Sequence, residues 1–548
     1  MLDDNNLRMK LSIKYILLLC MVCLSTIDVC AQLKIGKVVK ASTKVVKVPA
    51  SRFTPKVNWA AITVHEAKKA SEASSKVKKN VTQNLKLPDV RPRITHVGVK
   101  TLPQSEELRS LLSAKRLFVP DSIEIEKCLR RFMNYASVNS QSTDSEDMSS
   151  FPLTPGQRKM AEMIEQELLL MAKSNKKLQV VRSESEYVYA KLPATTKRKL
   201  PSIMLMAHLD VTPEAPGGNI KPIVHRNYQG GDIKLPSGIV LSPKVPQGKH
   251  LKECIGKTII TSDGTTLLGA DDKSGCTVLM TLIGNLVLEK SIEHGDLYFV
   301  FSQNEDIGRA AEKFEPKYVD GNPDVVIDVD GDDPHAFSVE NFTAAMRIYT
   351  FHGRNAHPGE GYANKYGDAL TAASYFVGQI PPCKHPSASR GKQGYVHCYD
   401  ISHPKDSVGN TISDDYLVKV RLRYFDKLEG DTLRQMLDLA EEETAKAFPF
   451  VKVGASAENL QYENVAYTMY PALPGIIKKA YASLGKKVSP RSERGGTTSA
   501  MIAAKGLRGG ACLFSGQQAE HSVYEWTCVE DMVDMTKILQ KVIMLINK

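Results

Sequence analysis

Three largely apolar runs, Ile203 to Ala207, Leu297 to Phe301 and Val325 to Val329, each end at or just before imidazole or acidic side chains. Runs this short and this apolar read as strands buried on both faces, the pattern of a parallel or mixed sheet covered by helices. The fold class that follows is α/β. In open sheets of that kind, ligands bind beyond the carboxyl ends of the strands. There stand His208-Leu209-Asp210, Glu305-Asp306 and Asp330-Gly331. Asp271-Asp272-Lys273 opens a Gly-flanked turn that leads into an apolar helical stretch, and His521 follows far downstream. Carboxylates gathered so closely repel unless cations hold them. Two hard or borderline cations bridged by one carboxylate are the economical arrangement. The five motifs together imply a dinuclear metallohydrolase.

At 548 residues the chain has room for two or more domains. Ordered sequence begins near Leu117, with an amphipathic helix from Ser122 to Tyr135, a polar loop at Ser137 to Ser150 and a helix from Pro155 to Ser174. Between Thr196 and Ser302 apolar runs alternate with helical ones. From Phe342 the pattern changes to two strand-then-helix units: Ala344 to Phe351 with Asp368 to Phe376, and Tyr416 to Phe425 with Asp431 to Phe448. This predicts a smaller α+β domain at 342–452, inserted into an outer catalytic domain formed by 116–341 and 453–548. The outer domain resumes with a helix (Pro474 to Leu484), a turn at Gly495-Gly496, a buried strand (Ala511 to Phe514) and a closing helix (Val529 to Ile546).

The formal net charge of +11 is localised: Leu33 to Lys115 carries 18 Lys/Arg against five Asp/Glu. The remainder is near neutral, which argues against nucleic acid as a partner. Residues 32–115 read as a basic, low-complexity linker or tether, with a surface-binding arm as the alternative. Lys10 and Lys14, the apolar run Tyr15 to Leu24 and the small Ala31 read as a signal peptide over residues 1–31. The run is short for a stable membrane span, so a periplasmic or secreted location is expected, with an uncleaved anchor as the alternative. Beyond that leader seven cysteines remain, an odd number at scattered spacings, with Cys383 and Cys398 the best disulfide candidate.

Longer runs carry a family resemblance. They are His208-Leu209-Asp210, Asn227-Tyr228-Gln229-Gly230-Gly231-Asp232, and Thr261-Ser262-Asp263-Gly264-Thr265-Thr266-Leu267-Leu268-Gly269-Ala270-Asp271-Asp272-Lys273. With Val339-Glu340-Asn341-Phe342, His357-Pro358-Gly359, Arg423-Tyr424-Phe425-Asp426 and Arg494-Gly495-Gly496-Thr497, the stretch from Asp121 to Lys548 resembles the peptidase T family, aminotripeptidases among the co-catalytic zinc exopeptidases. The resemblance implies a mixed-sheet catalytic domain with an inserted lid or dimerisation-type domain, a short peptide substrate, and two Zn2+ per chain, with Co2+ or Mn2+ as alternatives. By analogy it also implies a homodimer. It implies that Asp271 bridges the metals, that His208 and Asp330 complete one site, and that Asp306 and His521 complete the other. Asp210 would orient His208. Glu305 would be the general base. His357 would stabilise the oxyanion, Arg423 would bind the peptide carboxylate and Arg494 would assist.

Four positions depart from the family pattern. Asp306 stands where a second Glu is usual, Asn304 replaces an Asp, Asp368 falls near an Asn position, and Thr498 follows Thr497 in place of Asp. The shorter Asp306 requires either a closer backbone or a looser metal. These changes keep three alternatives open: a dipeptidase, an N-acyl amino acid or cell-wall peptide amidohydrolase, and a catalytically weak peptide-binding homologue.

Overall fold

The structure, a computed structural model, describes residues 121–143, 151–289, 291–403 and 414–547. The expected signal peptide, the basic segment at 32–115 and residues 144–150 of the polar loop lie outside them. The outer domain opens with α1 (Asp121–Ala136), α2 (Pro155–Ser174), β1 (Gln179–Arg182), β2 (Val188–Leu192) and β3 (Ile203–His208). Short strands β4 (Ile223–His225), β5 (Ile233–Lys234), β6 (Val240–Leu241) and β7 (Ile259–Thr261) lead to α3 (Ala270–Leu288), β8 (Leu297–Ser302), β9 (Val325–Gly331) and β10 (Ala336–Asn341). Helix α2 begins where its sequence supplies a start signal: Thr154 accepts a hydrogen bond from the Gln157 amide, and Pro155 occupies the first turn, where a missing N–H costs nothing.

The inserted segment comprises β11 (Thr343–His352), α4 (Ala369–Gly378), β12 (Tyr395–Ser402), β13 (Asp415–Tyr424), α5 (Lys427–Ala447), β14 (Lys452–Ala455) and β15 (Asn459–Tyr462). The chain returns through α6 (Leu473–Ser483), β16 (Ser489–Glu493), α7 (Thr498–Ala503), β17 (Ala511–Phe514), β18 (Gln517–Gln518), β19 (Trp526–Cys528) and α8 (Val529–Ile546).

The outer domain is built on an eight-stranded mixed sheet in the order β1-β2-β8-β3-β9-β17-β10-β16. Strands β8, β3, β9 and β17 run parallel, so their carboxyl ends share one edge. Alternate residues of the central strands face opposite cores, as a two-sided sheet requires. Ile203, Leu205 and Ala207 pack with α1, α2, α3, α6 and α8, while Met204 and Met206 pack with Tyr187, Tyr298 and α7. The inserted segment forms a separate antiparallel sheet, β12-β13-β11-β14, with β15 also on β11. Its one buried face is closed by α4 and α5 through Phe376, Leu433 and Leu437. This sheet runs on to Tyr462, past the boundary that periodicity places at 452.

The expected bridge between Cys383 and Cys398 is not formed. Both thiols are free: Cys383 is exposed in a 3-10 turn, whereas Cys398 packs against the inserted core. Among the described residues no helix is long and apolar enough to cross a membrane.

Candidate metal centre

The parallel strands deliver their terminal side chains to one point. His208 is the last residue of β3, Asp330 stands near the end of β9, and Glu305 and Asp306 occupy the turn after β8. Asp271 lies at the start of α3, in non-helical backbone, and its peptide bond to Asp272 is cis. His521 sits between β18 and β19. His208 Nε2 is 2.9 Å from Asp271 Oδ1 and 3.5 Å from Asp330 Oδ1. His521 Nε2 is 2.9 Å from Asp306 Oδ1 and 3.3 Å from Asp271 Oδ2. The two oxygens of Asp271 therefore address different imidazoles, and each imidazole has one further carboxylate of its own. Glu305 joins His208 and Asp330 with ligand atoms within 4.8 Å of one another.

Asp306, a methylene shorter than Glu, reaches His521 from a turn held by Asn304 and Asp210. Asn304 adopts the left-handed region at φ 57°, and the next two amides are pinned: Asp210 accepts from Glu305 N at 3.0 Å and from Asp306 N at 3.2 Å. Asn is among the few residues that tolerate that conformation. Its side chain donates to the Pro152 carbonyl at 2.8 Å, a bond an Asp carboxylate could not make. Asp210 also meets His208 Nδ1, through its backbone carbonyl at 3.1 Å and its carboxylate at 3.4 Å.

Three residues outside the expected ligand set support the cluster. Glu525, fully buried, accepts from the amides of Leu268 and Gly269 at 2.7 Å each and of Asp271 at 2.9 Å. It thereby ties the Asp271 loop to the segment that carries His521. Glu214 meets His521 Nδ1 at 2.9 Å. Gln517 donates to the Asp330 carbonyl at 3.1 Å. Glu525 had a signal in its spacing from His521; Glu214 and Gln517 had none. Asp272 is structural, accepting from His208 N and Gly275 N at 3.2 and 3.0 Å.

Burial and close opposite charges shift the ionisation of the cluster. Burial pushes Asp306 and Asp330 up to about 7 and Glu305 well above the usual carboxylate range. Hydrogen bonds to Asp271 and Asp306 push His521 up to about 12. Burial would lower His208, but Asp330, Asp210 and Asp271 outweigh it and hold the imidazole well above its usual range. Burial also opposes ionisation of Asp271, yet the two imidazoles keep it below the ordinary carboxylate value. The residues fit a metal pair. Asp306 Oδ2 is buried with no hydrogen-bond partner, the donors are the N/O set such ions take, and two divalent ions would neutralise Asp271, Glu305, Asp306 and Asp330.

The cluster opens into a cavity of about 360 Å³ that Arg491, Glu493, Gly495 and Gly496 also line. The three expected substrate residues are not at the cluster. Arg423 is buried on β13, donating to the Leu422 carbonyl and to Gln461, with no carboxylate partner among the described residues. Arg494 donates to the Gly391 carbonyl and Ser389 Oγ and lies over the Phe342 ring. His357 is exposed on the inserted domain. Asp368 caps α4 through the Thr371 amide at 3.0 Å, and Thr498 is buried against Ser302.

The chain is similar to known peptidases in sequence and in fold. The chain is 33% identical over 426 residues to Peptidase T of Desulfitobacterium hafniense (strain DSM 10664 / DCB-2), covering 76% of this chain and 97% of the relative. It is likewise 33% identical over 429 residues to Peptidase T of Listeria innocua, covering 77% and 99%. Among solved structures, aminopeptidase PepT from Bacillus cereus superposes with a TM-score of 0.57 at 19% identity, covering 77% of this chain and 99% of that one. A dinuclear metal-binding peptidase of the M20 family from Bacillus subtilis gives 0.52 at 12% identity, covering 78% and 99%. No family model matches.

Proposed function

Because the chain belongs to the peptidase T family, we propose that this hydrolase removes the N-terminal residue from short peptides, tripeptides foremost, with two zinc ions as its resident metals. The observation that carries this reading is the division of Asp271, one oxygen to His208 and the other to His521, with Asp330 and Asp306 as separate partners. When bound, such a pair lowers the pKa of water towards neutrality and polarises a carbonyl. The protein's own residues do the rest. Glu305, buried beside His208 and Asp330, takes a proton from water and returns it to the leaving amine. Asp210 holds the Glu305-Asp306 turn and His208 in mutual register.

Substrate recognition falls to the inserted domain. Arg423 is a buried guanidinium that makes no ion pair among the described residues, and a peptide α-carboxylate is the planar, bidentate partner it suits. His357 stabilises the oxyanion and Arg494 assists, so both must approach the metals when substrate binds. The proposal also includes a homodimer built through the inserted domain, and export to the periplasm or medium on the strength of Lys10, Lys14 and the apolar run after them.

The test is hydrolysis by the purified full chain, stripped with a chelator and then resupplied with zinc. Release of the N-terminal residue from tripeptides, dependent on zinc and faster by kcat/KM than from dipeptides or N-acyl amino acids, is the expected result. Preference for either competitor would reassign the substrate while keeping the centre. Two bound metals with no hydrolysis of any amide would leave a binding protein.

A further inference from the structure

A second group of metal-binding side chains lies away from the catalytic cluster, at the junction of two chain segments. His250 and Cys254 belong to the 3-10 turn Pro246–Glu253 and the residue after it. Cys528 is the N-cap of α8 and Asp531 lies in its first turn. The intervals are His-x3-Cys and Cys-x2-Asp, two ligands from each of two short segments, as structural zinc sites are commonly assembled. His250 Nε2 stands 2.7 Å from Asp531 Oδ2, and Cys254 Sγ stands 4.0 Å from the same oxygen. The ligand atoms of all three residues lie within 4.8 Å of one another, and all three are buried. Cys528, beside them at the start of α8, is also fully buried, and its thiol donates to Glu530 Oε2 at 3.6 Å.

We propose that His250, Cys254 and Asp531 form the core of a structural zinc site, distinct from the catalytic pair, with Cys528 turning from Glu530 to supply the fourth ligand. Charge and surroundings support it. The Lys257 ammonium stands 2.8 Å from Asp531 Oδ1. With zinc bound, two thiolates and a carboxylate are matched by the ion and Lys257, and the neutral imidazole adds nothing. Lys257 stays on Oδ1, outside the coordination, in the manner of supporting contacts at metal sites. The imidazole is already oriented: it stacks on Trp526 at 6.0 Å and 22°, and Trp526 Nε1 donates to the Gln247 carbonyl. His250 Nδ1 has no hydrogen-bond partner, and Glu253 Oε2 at 3.9 Å is the acceptor that an Nδ1–H would turn to once Nε2 is committed to a metal.

The site also has a structural reason to exist. It sits in a satellite core, with Tyr228, Leu251, Ile259 and Trp526, beneath strands of two and three residues. So small a core gains more from a metal staple than from further apolar burial. Its β19 continues directly from Glu525, so the staple holds the segment that bears His521.

Cobalt(II) substitution of the reduced full-length chain tests this independently of the catalytic reading, because the catalytic cluster contains no sulfur. Expected are about three cobalt ions per chain and a near-ultraviolet thiolate-to-cobalt charge-transfer band. The band should vanish in Cys254→Ser with loss of one cobalt, and persist in Cys128→Ser. Uptake that stops at two ions without the band would overturn the proposal. So would a band that survives Cys254→Ser, or a Cys254–Cys528 disulfide in place of both thiols. Should Cys254→Ser fail to fold, the wild-type spectrum and metal count decide alone.

Discussion

Glu525 never enters the ligand set, yet it gathers three backbone amides from the loop that presents Asp271. Glu525→Gln leaves one acceptor oxygen and introduces an amide with nothing to donate to. We expect a loss of about 2 kcal/mol in denaturant-measured stability, together with weaker zinc binding in a chelator competition. Glu305→Gln should behave in the opposite way. Both metals should remain by elemental analysis while kcat falls about 10²- to 10⁴-fold, the usual worth of a positioned proton acceptor. That His208, Glu305, Asp306, Asp330 and Asp271 converge was legible because each follows an apolar run or opens a Gly-flanked turn, whereas His521 carried no such mark. Their supports were not, because Glu214 and Gln517 act through space from positions that no local pattern distinguishes. Asp368, a departure from the family pattern, is an ordinary helix cap.

At the scale of elements, α3 can lie against β9 only because Gly275 has no side chain. A Cβ there would stand 2.0 Å from the Val329 carbonyl oxygen and 2.3 Å from Asp272 Oδ1. Gly275→Ala should therefore cost about 3 kcal/mol and disturb the metal centre through Asp272, read by thermal unfolding and metal content together. In the inserted domain, Glu458 receives Arg434 and Arg347 at 2.8 and 3.0 Å and joins β11 to α5. Burial raises its pKa, but these guanidiniums outweigh that and hold the carboxyl below its ordinary value of 4.5. A depressed carboxylate stabilises the fold above its unfolded pKa, and the contribution disappears as pH falls through the folded one. Wild type should thus lose its margin over Glu458→Gln in melting scans taken from pH 6 down to about pH 3. Long elements were readable from periodicity and caps, as α2 and α8 show. Strands β14, β15 and β16 were not. They are short, polar edge strands, one containing Pro490, and edge pairing imposes no apolar alternation.

For the whole molecule, removal of the metals should lower the melting temperature and zinc should restore it. A ligand that binds only the folded state contributes about 4 kcal/mol at a thousandfold excess over its Kd. The two-part organisation was legible because the hydrophobic pattern changes character near Phe342; its far boundary was blurred by the weak strands just named. The order of the large sheet carries one more consequence. Strand β17 fills the seam between β9 and β10, although the entire inserted segment separates it from both along the chain. A growing polypeptide therefore leaves the ribosome with a gap in its central sheet and one imidazole still unsynthesised. Closing the central sheet and completing the cluster both wait on residues that follow the inserted segment.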